Sequence, residues 1–292
     1  MRHVYECPIR RADLHPGGTV NNVAFLDYLQ EARLDLLRHH DTSVSARPGE
    51  GLVVVRTAIE YLAPLTLADR PLYVATWVTE VRAASFTMGY ELYTEPDGPG
   101  SPRVHGRART LLTPYDFEAD RPRRLTPEEH ERLSRGPEPA PVDERDRTSK
   151  PPGWGPGGRL TPVHVRFSDI DLLGHVNNVR YLDYVHEASV DLMLECFREA
   201  AVNGDISMVI ARTDLDYVGQ LNLRPEPYDV WTRVAEVGST SVTFEAEIRD
   251  GDRVMARSRV VEVSVDGDDR PLPLIDEHRA VFERRREAAL SD

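Results

Sequence analysis

The chain twice follows the same order of hydrophobic and polar positions. Residues 3–12, "HVYECPIRRA", and 161–168, "TPVHVRFS", alternate apolar and polar side chains, which is typical of a strand. After a loop, apolar residues then recur every three or four positions, which predicts an amphipathic helix. The recurring positions are Val23, Leu26, Leu29, Ala32, Leu36 and Leu37 in the first case and Val179, Leu182, Val185, Ala188, Leu192, Met193 and Cys196 in the second.

Strand-like segments follow the first helix, among them "LVVVRTAIEYL" (52–62), "PLYVATWVTEV" (71–81), "FTMGYELY" (86–93) and "RVHGRARTLLT" (103–113). One long helix followed by a run of antiparallel strands predicts an α+β fold, with the sheet wrapped around a single helix.

The second half of the chain repeats the first. With a shift of 156 residues, Asp13 aligns with Asp169, and residues 13–36 match residues 169–192 at 13 of 24 positions without a gap. The same shift aligns "RTAIEYLAPL" (56–65) with "RTDLDYVGQL" (212–221). The sequence therefore predicts one domain that has been duplicated and fused.

A segment rich in proline, glycine and charge separates the two copies. We expect an N-terminal domain at residues 1–134, an extended linker at 135–159 and a C-terminal domain at 160–292. Thr126, Pro127 and Glu129 have the spacing of a capping box, so a short helix is predicted to close the first domain, with "IDEHRAVFERRREAA" (275–289) as its counterpart.

The stretch "DIDLLGHVNN" (169–178) carries the candidate chemistry. Asn177 and Asn178 stand where a helix cap belongs, so nearby backbone N–H groups are available to hold a carbonyl oxygen as it becomes an oxyanion. Asp171 could attack that carbonyl or take a proton from water, and His175 could orient the water or shuttle a proton. Gly174 would let the backbone turn tightly beside a ligand. These parts predict acyl-transfer hydrolysis without a serine or cysteine nucleophile.

The first copy keeps the frame of this stretch and lacks its reactive groups. His15 stands in the place of Asp171, and Thr19 in the place of His175, whereas Asp13 matches Asp169. We therefore predict chemistry for Asp171 and His175, a structural role for Asp169, and one competent site per chain.

The residues 169–181 resemble the signature of hotdog-fold thioesterases of the 4-hydroxybenzoyl-CoA thioesterase-like group, D-x-D-x-x-G-H-V-N-N-x-x-Y. Two such units in one chain resemble the double-hotdog arrangement, which is also seen in plant-type acyl-carrier-protein thioesterases. The resemblance implies two tandem hotdog domains that form an intrachain pseudodimer, with thioester hydrolysis at the seam between them and no metal or organic cofactor.

The resemblance also implies roles for particular residues. Asp171 takes the place of the acidic catalyst, His175 the place of the motif histidine, and the oxyanion donor is a backbone N–H near Asn178. Plant-type enzymes carry an asparagine two residues after the acid, whereas this chain has Leu173, which favours the simpler carboxylate scheme. The predicted substrate-binding residues are Gly174, Asn177, Val179 and Tyr181, with Tyr181 expected in the core or a pocket wall.

The composition of the chain argues against several classes of function. A formal net charge of -13 and a pI near 5.3 disfavour binding to nucleic acid, and no apolar run reaches the length of a membrane span. Cys7 and Cys196 form no CxxC pair, so a cytoplasmic protein without disulfides is expected. The histidines, including His39 and His40, lack metal-ligand spacing such as HExxH, so no metal is predicted.

The sequence thus predicts an acyl thioesterase that acts on acyl-CoA, with acyl-carrier-protein thioesters as the alternative. Two rivals stay open, a hydratase or dehydratase of the same fold and a non-catalytic acyl-thioester-binding protein. The acyl group is not predicted, and the pseudodimer could pair again into a homo-oligomer.

Overall fold

The computed structural model describes residues 2–39, 49–96, 99–135, 137–142, 158–171, 174–200 and 207–289. The chain divides into two compact units, residues 1–144 and 145–292. The boundary between the units falls within the predicted linker.

The N-terminal unit begins with a strand, reaches its long helix through a short 3₁₀ turn (Arg11–Asp13), and continues into further strands and a closing helix. Its elements are β1 (His3–Cys7), α1 (Asn22–His39), β2 (Glu50–Tyr61), β3 (Leu72–Val81), β4 (Phe86–Thr94), β5 (Arg103–Asp116), β6 (Arg121–Pro122) and α2 (Pro127–Leu133).

The long strands of this unit form an antiparallel sheet in the order β1-β3-β4-β5-β2. Helix α1 packs against β1 and β3. The apolar positions that predicted the helix lie at this contact, since Leu29 and Ala32 are buried, as is Trp77 on β3. The predicted α+β arrangement is confirmed for this unit.

The C-terminal unit repeats the order of elements, again with a 3₁₀ turn (Phe167–Asp169) before its long helix. Its elements are β7 (Arg159–Val163), α3 (Arg180–Ala200), β8 (Ser207–Tyr217), β9 (Tyr228–Val237), β10 (Ser241–Asp250), β11 (Arg253–Val265) and α4 (Asp276–Ala289).

The sheet of the second unit has the order β7-β9-β10-β11-β8, which is the order of the first sheet with each strand replaced by its counterpart. Helix α3 packs against β7, β9 and β10, and α4 packs beside it on β9. Phe244, Phe282 and Leu192 belong to the apolar core between these elements.

The strand registers reproduce the 156-residue shift. Leu112 on β5 lies opposite Val54 and Phe86, and Glu262 on β11 lies opposite Ile210 and Val242. Ile210 and Val242 stand 156 residues after Val54 and Phe86, and Glu262 stands 150 residues after Leu112, because the first copy has a longer connection before β5. The duplication that the sequence predicted is therefore confirmed strand by strand.

The closing helices also follow the prediction. The side chain of Thr126 accepts a hydrogen bond from the backbone N–H of Glu129, and the side chain of Glu129 accepts one from the backbone N–H of Thr126. The predicted capping box is therefore present. Glu129 also pairs with Arg123 at 2.7 Å. Helix α4 covers most of the predicted counterpart, 275–289.

Part of the predicted linker packs on the N-terminal unit. The indole N–H of Trp77 donates to the carbonyl of Pro139 at 3.1 Å, and the backbone N–H of Glu138 donates to Val78 at 3.1 Å. Val142 is only 2% exposed. Residues 137–142 therefore belong structurally to the first unit, while the following stretch, 143–157, lies outside the described residues.

Among the helices of the described ranges, none has both the length and the apolar character to cross a membrane.

Candidate active site

A small hairpin precedes helix α3 and holds the predicted catalytic residues. Ile170 and Val176 form an isolated antiparallel bridge. The backbone N–H of Asp171 donates to the carbonyl of His175 at 2.9 Å, and that of Gly174 donates to the carbonyl of Asp171 at 3.1 Å. Gly174 has a φ of +82°, a conformation that favours glycine, and this lets the chain reverse within five residues. Residues 172–173 of this turn, including Leu173, lie outside the described residues.

The hairpin brings Asp171 and His175 opposite each other. Because successive residues of paired strands point to opposite faces, Asp171 and His175 share one face, and the bridge residues Ile170 and Val176 share the other. Val176 is buried, whereas Asp171 and His175 are half-buried. The backbone bond therefore places a residue with a carboxylate opposite a residue with an imidazole, and both are half-buried.

Asp169 holds the beginning of the hairpin to the long helix. Its carboxylate accepts from the backbone N–H of Arg166 and from the hydroxyl of Tyr184, each at 2.7 Å, and its carbonyl accepts from the N–H of Asn177 at 2.8 Å. Burial, followed by the hydrogen bond to this carboxylate, raises the pKa of Tyr184 above its ordinary value. These contacts are those of a structural residue.

The beginning of α3 lies directly after the hairpin. The side-chain oxygen of Asn177 accepts from the backbone N–H of Val179 at 3.0 Å and so caps the helix. The carbonyl of Asn178 accepts from the hydroxyl of Tyr217 at 3.1 Å. Within the described part of the chain, no acceptor is recorded for the backbone N–H of Asn178, so this donor is suited to a ligand oxygen.

A loop after β8 supports the hairpin from below. The backbone N–H of Val176 donates to the carbonyl of Leu221 at 3.0 Å. The hydroxyl of Tyr181 donates to the carbonyl of Gly219 at 3.0 Å and accepts from the N–H of Leu221 at 2.8 Å. Burial raises the pKa of Tyr181, so its phenol stays protonated and holds the loop.

The N-terminal unit has the same hairpin. Its backbone bonds join His15 to Thr19 at 2.8 Å, Gly18 to His15 at 2.9 Å and Asn21 to Asp13 at 2.7 Å. The bridge pairs Leu14 with Val20, and Gly18 has a φ of +87°.

The helix start and the support loop of the N-terminal unit correspond as well. The side chain of Asn21 accepts from the N–H of Val23 at 2.9 Å, and the hydroxyl of Tyr28 donates to Asp13 at 2.7 Å. The N–H of Val20 donates to Leu65 at 2.7 Å. The two units therefore share a backbone frame and differ in the side chains that the frame presents, Asp171 and His175 against His15 and Thr19.

The structure brings most of the predicted site residues together. Asp171, Gly174, His175, Asn177 and Asn178 lie on the hairpin or at the helix start. Val179 and Tyr181 are buried in the first turn beneath them, where Tyr181 supports the loop at Gly219. Binding of a substrate by any of these residues stays a prediction.

Sequence reasoning missed two supporting groups, Tyr217 and the carbonyl of Leu221. Both lie about 40 residues beyond the motif and are brought beside it by the fold. A signal was present, because Tyr61 and Leu65 stand at the matching positions of the first copy.

The paired long helix and antiparallel sheet, present twice, define a tandem hotdog protein. The chain belongs to the thioesterase-like superfamily, whose family model matches residues 9–144 and 165–282. The match covers both units and both hairpins.

One curated relative is the acyl-CoA thioester hydrolase YbgC of Escherichia coli, which is 33% identical over 89 residues. That match covers 29% of this chain and 66% of the relative, just under two thirds of its length.

Two solved structures match nearly the whole fold. One is from Lactobacillus plantarum, a protein assigned provisionally as an oleoyl thioesterase, with a TM-score of 0.73 and 16% identity over 91% of this chain and 97% of that one. The other is the 12:0-ACP thioesterase of Umbellularia californica, with a TM-score of 0.67 and 16% identity over 90% and 97% of the two chains. At this identity, the likeness concerns the fold alone.

Proposed function

We propose that the chain is an acyl thioesterase that hydrolyses acyl-CoA to a free acid and coenzyme A. One observation carries the proposal. Two units with the same hairpin frame differ at the two positions that face each other across it, and only the C-terminal unit places a carboxylate and an imidazole there, beside an available N–H at a helix start.

The proposed reaction uses these groups in one sequence. The N–H of Asn178 holds the thioester oxygen, and the positive end of α3 stabilises the negative charge that develops on it. Asp171 takes a proton from a water that attacks the carbonyl carbon, or attacks that carbon itself and is regenerated by water. The C–S bond breaks, and the thiolate takes up a proton that His175 delivers. The sum is R–CO–S–R′ plus water to R–COOH plus HS–R′.

The N-terminal unit has the frame without this pair, so we propose one catalytic set per chain. His15 is exposed, and the residue opposite it on the hairpin is Thr19, which is neither an acid nor a base, so no acid–base pair forms there.

Coenzyme A is favoured over acyl carrier protein as the thiol. The relative with the higher sequence identity, YbgC, is named an acyl-CoA thioester hydrolase, whereas the plant acyl-ACP enzyme resembles this chain in fold alone. This chain also has Leu173 where plant-type enzymes carry an asparagine.

Thiol release measures this activity directly. Purified full-length protein is incubated with a panel of acyl-CoA thioesters and with acyl-ACP thioesters that carry the same acyl groups. The free thiol is measured with a colorimetric thiol reagent. We expect turnover on at least one acyl-CoA and a higher kcat/KM for it than for the matched acyl-ACP. Saturable binding without thiol release would identify a non-catalytic acyl-binding protein, and hydration of an enoyl substrate would identify a hydratase.

The role of Asp171 is tested by the change Asp171→Asn, with Asp13→Asn as the matched control. Loss of the base or nucleophile should lower kcat by about 100-fold or more, with the fold unchanged by circular dichroism. Asp13→Asn should leave kcat within about twofold and act on stability, because Asp13 holds Arg10 and Tyr28 in the other unit. An Asp171→Asn enzyme as fast as the parent would refute the assignment.

A further inference from the structure

Three potential metal ligands meet at the far end of helix α1. The Nε2 atom of His3 lies 2.7 Å from the Asp35 carboxylate, and the Nδ1 atom of His39 lies 3.3 Å from its other oxygen. One ligand atom from each of the three side chains lies within 4.8 Å of the other two. The imidazole rings of His3 and His39 are 5.7 Å apart, centre to centre.

The backbone explains this meeting. Asp35 and His39 are four residues apart on a helix and therefore lie on one face. His3 stands on β1, which packs beside α1. The side chains of His3 and Asp35 are 14% and 25% exposed, and that of His39 is 65% exposed, so the cluster is anchored on one side and accessible to solvent on the other.

The C-terminal unit has a different set of side chains at the corresponding positions. The positions 156 residues further along are Arg159, Asp191 and Glu195. Arg159 pairs with Asp191 at 3.3 Å and with Glu195, so a fixed cation already joins the strand to the helix there. The N-terminal unit keeps the carboxylate and replaces the arginine and the glutamate with two imidazoles.

We propose that His3, Asp35 and His39 bind a divalent transition-metal ion of the zinc type. Two imidazole nitrogens and one carboxylate oxygen are a ligand set that Zn²⁺ takes at about 2.0–2.2 Å, and a tetrahedral site of that size places its ligands roughly 3.3 Å apart. The present separations run from 2.7 Å to at most 4.8 Å, so they differ from that spacing by about 1.5 Å or less. Water would fill the remaining position on the exposed side.

The proposed ion is structural, and the proposed catalytic pair belongs to the other unit. Helix α1 has 18 residues, so its last turn lies about 25 Å from its first, where the hairpin of this unit joins it. The ion would fasten β1, an edge strand held by β3, to the end of α1, as Arg159 fastens β7 to α3. Sequence spacing could not show this site, because its third ligand stands 32 residues before Asp35.

Metal binding has a definite requirement at His39. Its Nδ1 atom now donates to the backbone carbonyl of Asp35 at 2.9 Å. A ligating nitrogen must be free of its proton, so the ring must change tautomer or turn to present its other nitrogen.

The test uses untagged full-length protein, freed of metal by a chelator, with Zn²⁺ and Co²⁺ as probes. Calorimetric titration with Zn²⁺ should show one equivalent bound, and Co²⁺ should give visible absorption bands that Zn²⁺ removes. Thermal unfolding should shift upward by several degrees with excess Zn²⁺ because the ion binds the folded state. The effect should be present in Asp171→Asn as well, so failure of this proposal and failure of the proposed function are distinguishable.

The variants His3→Gln and His39→Gln should each weaken Zn²⁺ binding by more than about tenfold, since even outer partners of a ligand contribute that much. His130→Gln is the matched control, because His130 is an exposed histidine on α2 outside the cluster. A parent protein that binds no Zn²⁺, or variants that bind it as tightly as His130→Gln does, would overturn the proposal.

A transplant gives a second measurement that does not depend on removing ligands. The double change Arg159→His and Glu195→His places the same ligand set around Asp191. We expect a second equivalent of bound Zn²⁺ and a second contribution to the thermal shift. An unchanged stoichiometry of one in a folded double variant would count against this ligand set as the source of the equivalent that the parent binds.

Discussion

Two aspartates two residues apart illustrate what single positions reveal. Asp169 matches Asp13 in the first copy, which predicted a structural role, and its contacts with Arg166 and Tyr184 confirm it. Asp171 has no such match, which predicted a chemical role. That role stays a prediction, which the activity of Asp171→Asn tests.

The tyrosines that donate to these structural aspartates form a matched pair for a stability test. Tyr184 donates to the buried Asp169, and Tyr28 donates to the half-buried Asp13, each at 2.7 Å. We expect Tyr184→Phe to lower the free energy of unfolding by about 1.5–3 kcal/mol, because a buried carboxylate loses a donor, and Tyr28→Phe to cost less because water can replace the donor there.

Urea unfolding of both variants measures the difference in the free energy of unfolding. Thiol release by the folded variants checks that neither change lowers the rate of hydrolysis. An equal loss in the two variants would show that burial of the accepting carboxylate does not set the strength of this bond.

At the scale of elements, periodicity and capping predicted most of the fold. The apolar positions that predicted α3 are buried, apart from the half-buried Met193, and the capping box of α2 begins at Thr126 as expected. The segment 137–142 is the exception, because its composition favoured a linker. In the structure it is held to β3 by two hydrogen bonds, one donated by the indole of Trp77 and one accepted by the carbonyl of Val78. Such bonds depend on a surface that forms only when the sheet does, so the local sequence does not predict them.

The counterpart strands β5 and β11 differ at one core position, where only β11 carries an ionisable side chain. Leu112 on β5 corresponds to Glu262 on β11, and both are almost completely buried. Burial raises the pKa of Glu262 to about 7, and its Oε1 atom has no hydrogen-bond partner among the described residues.

This difference predicts a pH dependence of stability. An unfolded glutamate loses its proton near pH 4.3, whereas the folded one keeps it until about pH 7. Between these values the folded state binds more protons, so the free energy of unfolding falls as the pH rises, by on the order of 3 kcal/mol in all.

The change Glu262→Leu should remove this slope between pH 4.5 and pH 7. Unfolding by urea at several pH values, parent against variant, measures it. A parent whose stability does not fall more steeply than that of the variant over this window would show that Glu262 ionises in the core without cost.

At the scale of the whole molecule, the duplication supplies an internal comparison that a single domain lacks. The repeat could be predicted from sequence, as could the hairpin residues that differ between copies. The support that Tyr217 and Leu221 give to the hairpin, and the meeting of His3 with Asp35 and His39, depend on tertiary contacts between distant segments. Spacing along the chain does not encode such distances, which is why the sequence left them out.

The comparison between the units also predicts that the lost chemistry can be restored. The two hairpins share their backbone bonds, the left-handed glycine and the capping asparagine, so the changes His15→Asp and Thr19→His should place the reactive pair on an existing frame. In an Asp171→Asn background, this double change should raise kcat by at least about tenfold over Asp171→Asn alone, because a positioned acid–base pair contributes about 100-fold or more when complete. Thiol release measures the recovery, and His15→Asn with Thr19→His is the control that lacks the carboxylate. A double variant no faster than that control would show that the N-terminal unit has lost more than two side chains.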